Sequence, residues 1–272
     1  MHSRSALVAS LRELGVRAGD IVMLHASLRA VGKVIGGPDQ VHVAVEEAAS
    51  PGGTVMMFVG APEGYDDVGR GIYTREEEAE LLAHQPPFDP SSTRASHPFG
   101  ALAELFRSFP GTICSGSPCG RMAARGARAV WITENQPWTY GLGRGSPLEK
   151  LCEAGGKVLL LGSSRDEVTL LHYAEHDAEF PNKRIARYKV PMIRHGERVW
   201  VDCEEFDTSN GAHESWPSDF FAQIVTSFID RNRGTKICSV GKVGNAEATL
   251  IDAAALIAHA IPMMVDQATS AG

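Results

Sequence analysis

Thr169, His172 and Glu175 are set three residues apart in the stretch GKVLLLGSSRDEVTLLHYAEHDAE, residues 156–179. On a helix that spacing places them on roughly one face, with neighbouring Cβ atoms about 5–6 Å apart. A neutral imidazole, a carboxylate and a hydroxyl held together are the parts of a general-base site. A lone histidine on a half-buried helix is more often structural, and the matched spacing of its neighbours is what raises this one. The same residues also admit a different chemistry. His172-Tyr173-Ala174-Glu175-His176 fits H-x-x-E-H, the inverted zinc-protease motif. Two imidazoles at i and i+4, with a downstream acid such as Glu247, would hold zinc and leave Glu175 as base. A helix stopped early by Pro181 argues against that use, so no metal is expected and His176 becomes a surface or packing residue.

The elements around these residues must bring them to a place a ligand can reach. Val158, Leu159, Leu160 and Leu161 form an unbroken apolar run closed by Gly162, which reads as a buried strand. A polar turn over 163–166 follows, then a helix over 167–179. Open α/β sheets bind ligands outside the carboxyl ends of their strands, which is where this turn and helix start. The first sixty residues read as helix 5–14, strand 21–25, a loop broken by Gly32, Gly36 and Gly37, a helix from Pro38 to about 49, and strand 54–59. That order is a βαβ unit. Further helices are expected over 98–109, 148–154 and 220–231, with a closing helix over 246–260. One hairpin is expected to run over 184–192, turn at 195–198 and return over 199–201; a second is expected over 235–243 around Gly241.

The stretch 60–90 departs from this pattern, being rich in Gly, Pro, Asp and Glu with one helix over 75–84. A loop of that length in a compact domain is more often functional than idle. No linker, repeat or low-complexity segment divides the 272 residues, so one domain over 1–272 is expected, with an inserted loop region at about 60–95. The composition, 43% hydrophobic and 22% charged, is that of a soluble globular protein. A net charge of −7 argues against nucleic acid as a partner and is compatible with a cationic ligand. Five cysteines, no C-x-x-C and no secretory leader read as free thiols in a reducing cytoplasm. The longest apolar stretch, 253–265, is interrupted by His259 and Pro262 and is too short to span a bilayer.

Two other regions hold candidate ligand contacts. His25, Ser27, Arg29 and Lys33 precede Gly36-Gly37 and a helix start, where backbone N–H groups can hold phosphate. The loop is neither a Walker motif nor G-x-G-x-x-G, and a plain loop fits it as well. Among the acidic clusters, Glu76-Glu77-Glu78 reads as a solvated helix face. Asp66 and Asp67 beside Tyr65, and Asp207 with Asn210, are better placed to meet a ligand.

Taken in order, the motifs resemble the aminoglycoside 3-N-acetyltransferases, the antibiotic N-acetyltransferase family distinct from the GNAT enzymes. The likeness runs nearly end to end. It includes Leu14-Gly15-Val16, Gly19-Asp20, His25-Ala26-Ser27-Leu28, Val31-Gly32 and Gly36-Gly37. It continues through Pro51-Gly52-Gly53-Thr54, Phe88-Asp89-Pro90 and Gly145-Ser146-Pro147-Leu148. Leu159-Leu160-Leu161-Gly162 through Asp166, Thr169, His172, Ala174 and Glu175 carries most of it, with Gly241-Lys242-Val243-Gly244 and Leu250-Ile251-Asp252-Ala253 at the tail.

The resemblance implies an α/β fold, three-layer α/β/α with a central mixed sheet, and acetyl transfer from acetyl-CoA to the 3-amino group of a 2-deoxystreptamine aminoglycoside. It implies His172 as base, Glu175 as its orienting partner and Thr169 near the oxyanion. It places CoA along His25, Ser27, Leu28, Arg29, Val31, Gly36 and Gly37, with Ser115 and Ser146 as further contacts. The polycationic drug would meet Tyr65, Asp66, Asp67, Glu175, Asp207 and Asn210. One departure is clear: where the family commonly carries R-S-x-H-P, this chain reads Cys114-Ser115-Gly116-Ser117-Pro118, which leaves Arg121 or Arg125 to stand in for the arginine. An acyltransferase of the same chemistry with another amine acceptor is the nearest alternative, and the zinc hydrolase the next.

Overall fold

The computed structural model describes residues 1–207, 209 and 211–270. The chain opens with helix α1 (Arg4–Leu14), strand β1 (Ile21–Ala26), the one-turn helix α2 (Leu28–Val31), α3 (Asp39–Ala49) and β2 (Thr54–Phe58). Then come α4 (Arg75–His84), α5 (Gly100–Ser108), β3 (Ile113–Cys114), β4 (Met122–Gly126), α6 (Ala129–Thr133) and α7 (Pro147–Glu153). The second half holds β5 (Lys157–Leu161), α8 (Leu171–Asp177), β6 (Ile185–Arg194), β7 (Glu197–Phe206) and α9 (Phe220–Asn232). It closes with β8 (Cys238–Val243), β9 (Ala246–Asp252) and α10 (Ala253–Thr269).

Seven strands form one mixed sheet in the order β3-β4-β2-β1-β5-β9-β8. Its centre, β2-β1-β5, is parallel, and β4 and β9 add antiparallel on either side. Alternation along the strands divides the core between two faces, since successive side chains point to opposite sides. Val22, Leu24, Val55, Met57, Leu159 and Leu161 pack with α1, α3 and α5. Met23, Met56, Val158, Leu160 and Ile251 pack with α6 to α10, including Leu171, Phe228 and Met264. The result is the expected three-layer α/β/α arrangement. Because β1 is followed by β2 on one side and pairs with β5 on the other, the strand order reverses beside β1, and a crevice opens at its carboxyl end.

A separate two-stranded sheet, β6-β7, pairs ten residues with ten and turns at His195-Gly196. It is longer than the sequence pattern suggested. Under it Tyr65, Phe88, Tyr188, Val190 and Cys203 form a small third core. The helix expected at 75–84 is α4, started by a capping box in which Thr74 and Glu77 satisfy each other's backbone N–H. None of its residues is buried, in keeping with a solvated Glu76-Glu77-Glu78 face. Its C-terminal carbonyls are taken up by β7: Arg198 donates to Gln85 and Ala83 at 2.7 and 2.6 Å, and Trp200 Nε1 donates to Leu82 at 3.1 Å.

Two expectations fail at the end of the chain. Residues 246–252 are not the start of the closing helix but strand β9, and the hairpin turns at Gly244-Asn245 rather than Gly241. Ala248 and Leu250 are buried on one face of β9, Thr249 and Ile251 on the other. A short apolar run buried on both sides cannot be told from a helix by periodicity. The helix begins only after Asp252, whose side chain accepts from Ala255 N at 2.8 Å. The helix expected over 167–179 is also shorter: a single 3₁₀ turn at Arg165–Glu167 precedes α8.

Gly162 sets the exit from β5 into that turn. Its φ is +66°, and a Cβ there would lie 2.3 Å from the Ala30 Cβ and 3.1 Å from the Ala246 Cβ. Gly162→Ala should therefore lose stability by overpacking, about 1–3 kcal/mol, and push α2 away from the sheet. Urea denaturation measures the loss; an unchanged midpoint and slope would contradict this reading of the α2–β5 contact.

Candidate active site

The crevice at the carboxyl ends of β1 and β2 is lined by Leu24, His25, Ala26, Met57 and Phe58 from those strands. The loops above add Glu63, Asp66, Asp67, Arg70, Phe99 and Cys119, and the turn after β5 adds Asp166 to Thr169 and His172. Of the residues expected at the site, the crevice gathers His25, Asp66, Asp67, Thr169 and His172.

His172 lies in the first turn of α8, and its Nδ1 is 2.7 Å from Oε2 of Glu175 one turn on. Glu175 is 1% exposed, while the His172 side chain is 21% exposed. A buried carboxylate against Nδ1 fixes the tautomer with the proton there, so the Nε2 lone pair is the free one. The ring is also confined by Phe221 of α9, 5.0 Å away between centroids. Phe221 is held in place because the turn before α8 latches α9: Asp166 accepts from Ala222 N at 3.2 Å and Arg165 donates to Thr226 Oγ1 at 3.0 Å. Glu175, 1% exposed, does not line the crevice, so the structure does not bring it among the residues positioned to meet a drug. Thr169 stands just before α8 rather than on it, 8% exposed in the crevice wall, so the three residues do not share one helical face.

His176 is a packing residue, as expected, with an ion-pair partner that its sequence neighbours did not indicate. Its Nε2 is 2.7 Å from Oε1 of Glu205 on β7, itself 2% exposed. Glu205 also accepts from Leu142 N and Phe206 N. The ring packs against Phe206, and Gly143 is required beside it, because a Cβ there would sit 2.5 Å from His176 Nδ1. Lys183 Nζ donates to the Glu175 and His176 carbonyls at 2.8 and 3.3 Å. The two histidines of H-x-x-E-H thus face different carboxylates. The supposed third zinc ligand, Glu247, is 66% exposed beside Arg165. Among the described residues no three His, Cys, Asp or Glu side chains converge on a point.

His25 ends β1 with its Nε2 buried and unpartnered, and burial pushes its imidazolium down to about 4, so the ring is neutral. The other expected cofactor contacts divide. Ser27 Oγ accepts from Ala30 N and caps α2. Val31 is fully buried and Leu28 half-buried in the core on the α1 side, so neither presents a free side chain. Arg29 is exposed, and Gly36 and Gly37 adopt φ of +89° and +94° in an open turn. Ser115 and Ser146 are fully buried and serve the backbone: Ser115 Oγ accepts from Met122 N, and Ser146 Oγ accepts from Leu148 and Glu149 N. They are removed from ligand reach. The substitute arginines are also committed. Arg121 is fully buried and donates to the Thr93 and Arg94 carbonyls, and Arg125 pairs with Glu46 under Phe109.

Among the expected acceptor contacts, Tyr65 is buried against Phe88 and forms no part of the crevice lining. Asp66 does line it. Burial, and then the neighbouring Asp67, push its carboxyl up to about 7. Asp67 accepts from Gly64 N and the Tyr73 hydroxyl, each at 2.8 Å. Asp207 binds Arg70 at 3.3 Å. Asn210 lies outside the described residues. Phe99, Cys119 and Arg70 were not foreseen; Phe99, 48% exposed at the rim, follows a Pro98 that read only as a helix start.

An imidazole oriented by a buried carboxylate, above an acidic crevice at a strand edge, is equipped to take a proton from an amine. Comparison with known proteins places the chain in a family. A family model described as aminoglycoside 3-N-acetyltransferase matches residues 23–265. The aminoglycoside N(3)-acetyltransferase III of Pseudomonas aeruginosa is 38% identical over 263 residues, covering 96% of this chain and 92% of that protein. The solved structure of AAC-IIIb as a binary complex with CoASH superposes with a TM-score of 0.89 at 40% identity, over 97% of this chain and 96% of that one. AAC-VIa bound to sisomicin gives 0.88 at 36% identity, over 97% of each chain. Fold, motif order and near-complete coverage agree, and the chain belongs to the aminoglycoside 3-N-acetyltransferase family, an acetyltransferase.

Proposed function

We propose that the chain transfers the acetyl group of acetyl-CoA directly to the 3-amino group of 2-deoxystreptamine aminoglycosides, with His172 as general base. The observation that carries this reading is the 2.7 Å bond from His172 Nδ1 to the buried Glu175 carboxylate, with the ring facing an acidic crevice. An ammonium has no lone pair with which to attack a thioester. The ammonium first gives one proton to solvent; His172 Nε2 then takes a second as the amine nitrogen bonds to the acetyl carbon, the C–S bond breaks, and the imidazolium passes that proton to the departing thiolate, so CoA leaves as thiol. Glu175 stabilises the imidazolium formed on the way. The Thr169 hydroxyl, or a backbone N–H of its turn, faces the developing oxyanion.

A direct route is favoured over an acyl-enzyme by the state of the thiol in the crevice. Burial pushes Cys119 well above the usual thiol range, with Asp66 and Glu205 adding to it, so little thiolate is present to be acylated. For the cosubstrate, Arg29 and Lys33 have no ion-pair partner among the described residues, and with the Gly36-Gly37 turn they fit an anionic pyrophosphate. His25, neutral and unpartnered, suits the uncharged part of the same molecule. Asp66, Asp67 and Asp207 suit an acceptor that carries several ammonium groups, as AAC-VIa's bound sisomicin does.

Replacing His172 by Ala should lower kcat by about 10²–10⁴-fold while thermal unfolding and CoA binding stay as in the wild type. Release of free thiol from acetyl-CoA with sisomicin reads the loss, and turnover near the wild-type level would remove His172 as base. A second expectation concerns pH. Asp66 is charged above about 7 and takes a proton as pH falls through that value, so its pull on a cationic acceptor is lost on the acid side. The acceptor KM should therefore rise between about pH 8 and about pH 6 while that for acetyl-CoA holds level. Asp66→Asn should have a raised acceptor KM throughout and a flat profile; a profile as steep as the wild type's would show that another group titrates.

A further inference from the structure

The crevice carries its own cation. Glu63, Asp66, Asp67, Asp166 and Glu167 all line it, and Arg70 is the one arginine or lysine among the described residues that do. Arg70 follows the acidic pair in a tight turn, its N–H donating to the Asp67 carbonyl at 3.1 Å. Its guanidinium reaches the segment after β7, where Nη2 donates to Ser209 Oγ at 2.9 Å and Asp207 Oδ1 at 3.3 Å. Its side chain is 22% exposed and that of Asp207 19%. The charge is felt on the inner side too, drawing down both the Asp66 carboxyl and the Cys119 thiol. Arg70, paired with Asp207, thus lines the crevice together with Asp66 and Asp67, where an ammonium of the acceptor would bind.

We propose that Arg70 is a built-in competitor for the acceptor's ammonium groups and limits how tightly a polycation binds. The inference rests on the reading that the acceptor is a polycation. In a partly desolvated crevice two cations sharing one set of carboxylates repel each other more strongly than they would in water. A bound acceptor must displace the guanidinium from Asp207 or bind against its charge. Acceptors with fewer ammonium groups on that side are penalised less, so Arg70 also acts as a specificity determinant.

The test compares Arg70→Gln, Arg70→Met and Arg70→Lys by steady-state kinetics with sisomicin and acetyl-CoA. Either neutral variant should lower the sisomicin KM about threefold or more, with the acetyl-CoA KM and the unfolding temperature unchanged. The gain should shrink at high ionic strength. Arg70→Lys, which keeps the charge, should lie closer to the wild type than to the neutral variants. A sisomicin KM that is unchanged or raised in both neutral variants overturns the proposal, and a rise in all three variants makes Arg70 a latch that shapes the acceptor loops. Spermine binding, followed by calorimetry, reads the same competition without turnover: a lower Kd in the neutral variants supports it and an equal or higher Kd refutes it. If the wild-type protein turns over no aminoglycoside, the functional reading fails by itself while the spermine result still decides the role of Arg70.

Discussion

The bond between His172 Nδ1 and the Glu175 carboxylate is the constraint on which the rest of the site depends. A carboxylate 1% exposed has lost its water and must be compensated by a fixed partner. Here the partner is an imidazole whose second nitrogen remains available. The short helix that carries both is fastened at its far end by a second imidazole–carboxylate pair, His176 with Glu205, and by Lys183 on its last carbonyls. Seven residues of helix have little stability of their own. Tertiary bonds at both ends, not helix propensity, keep the dyad in register. The same five residues that spell a zinc motif are thus used as two divergent hydrogen-bonded pairs.

Beside this dyad the crevice gathers the acids Glu63, Asp66, Asp67, Asp166 and Glu167 around Arg70. Asp66 is so poorly solvated and so close to Asp67 that it holds a proton near neutrality, and the Arg70 guanidinium, paired with Asp207, is near enough to act on it. In the proposed function, it is this surface that a multiply charged acceptor would meet. That gives the long irregular segment after β2 a physical purpose beyond closing the small core under the hairpin. It also divides the labour. In the proposed function, proton transfer falls to α8 and its supports and acceptor affinity to the loops over the sheet edge.

Much of the fold was legible because the relevant patterns are local. The apolar runs of β1, β2 and β5 each depend on a few neighbouring residues, and each strand lies within a residue of where its pattern placed it. The dyad was legible for the same reason, being two residues one turn apart. The failures share a cause as well. Strand β9 is buried on both faces, which removes the period that would distinguish it from helix. Tyr65, Val31, Ser115 and Ser146 sit beside plausible ligand residues in the chain but face inward, because distant segments cover them. His176 with Glu205, and Arg70 with Asp207, are pairs made across 29 and 137 positions of sequence, and nothing in the flanking residues of either partner announces the other.

The central claim is that Glu175 acts through His172 and not on substrate. A double-mutant cycle on kcat with His172→Ala, Glu175→Ala and the double variant tests it most directly. If the two act as one unit, the double variant should be no slower than His172→Ala alone, as expected for groups that share a single function. Losses that multiply in the double variant would contradict the account, since Glu175 would then be contributing independently of the imidazole it holds.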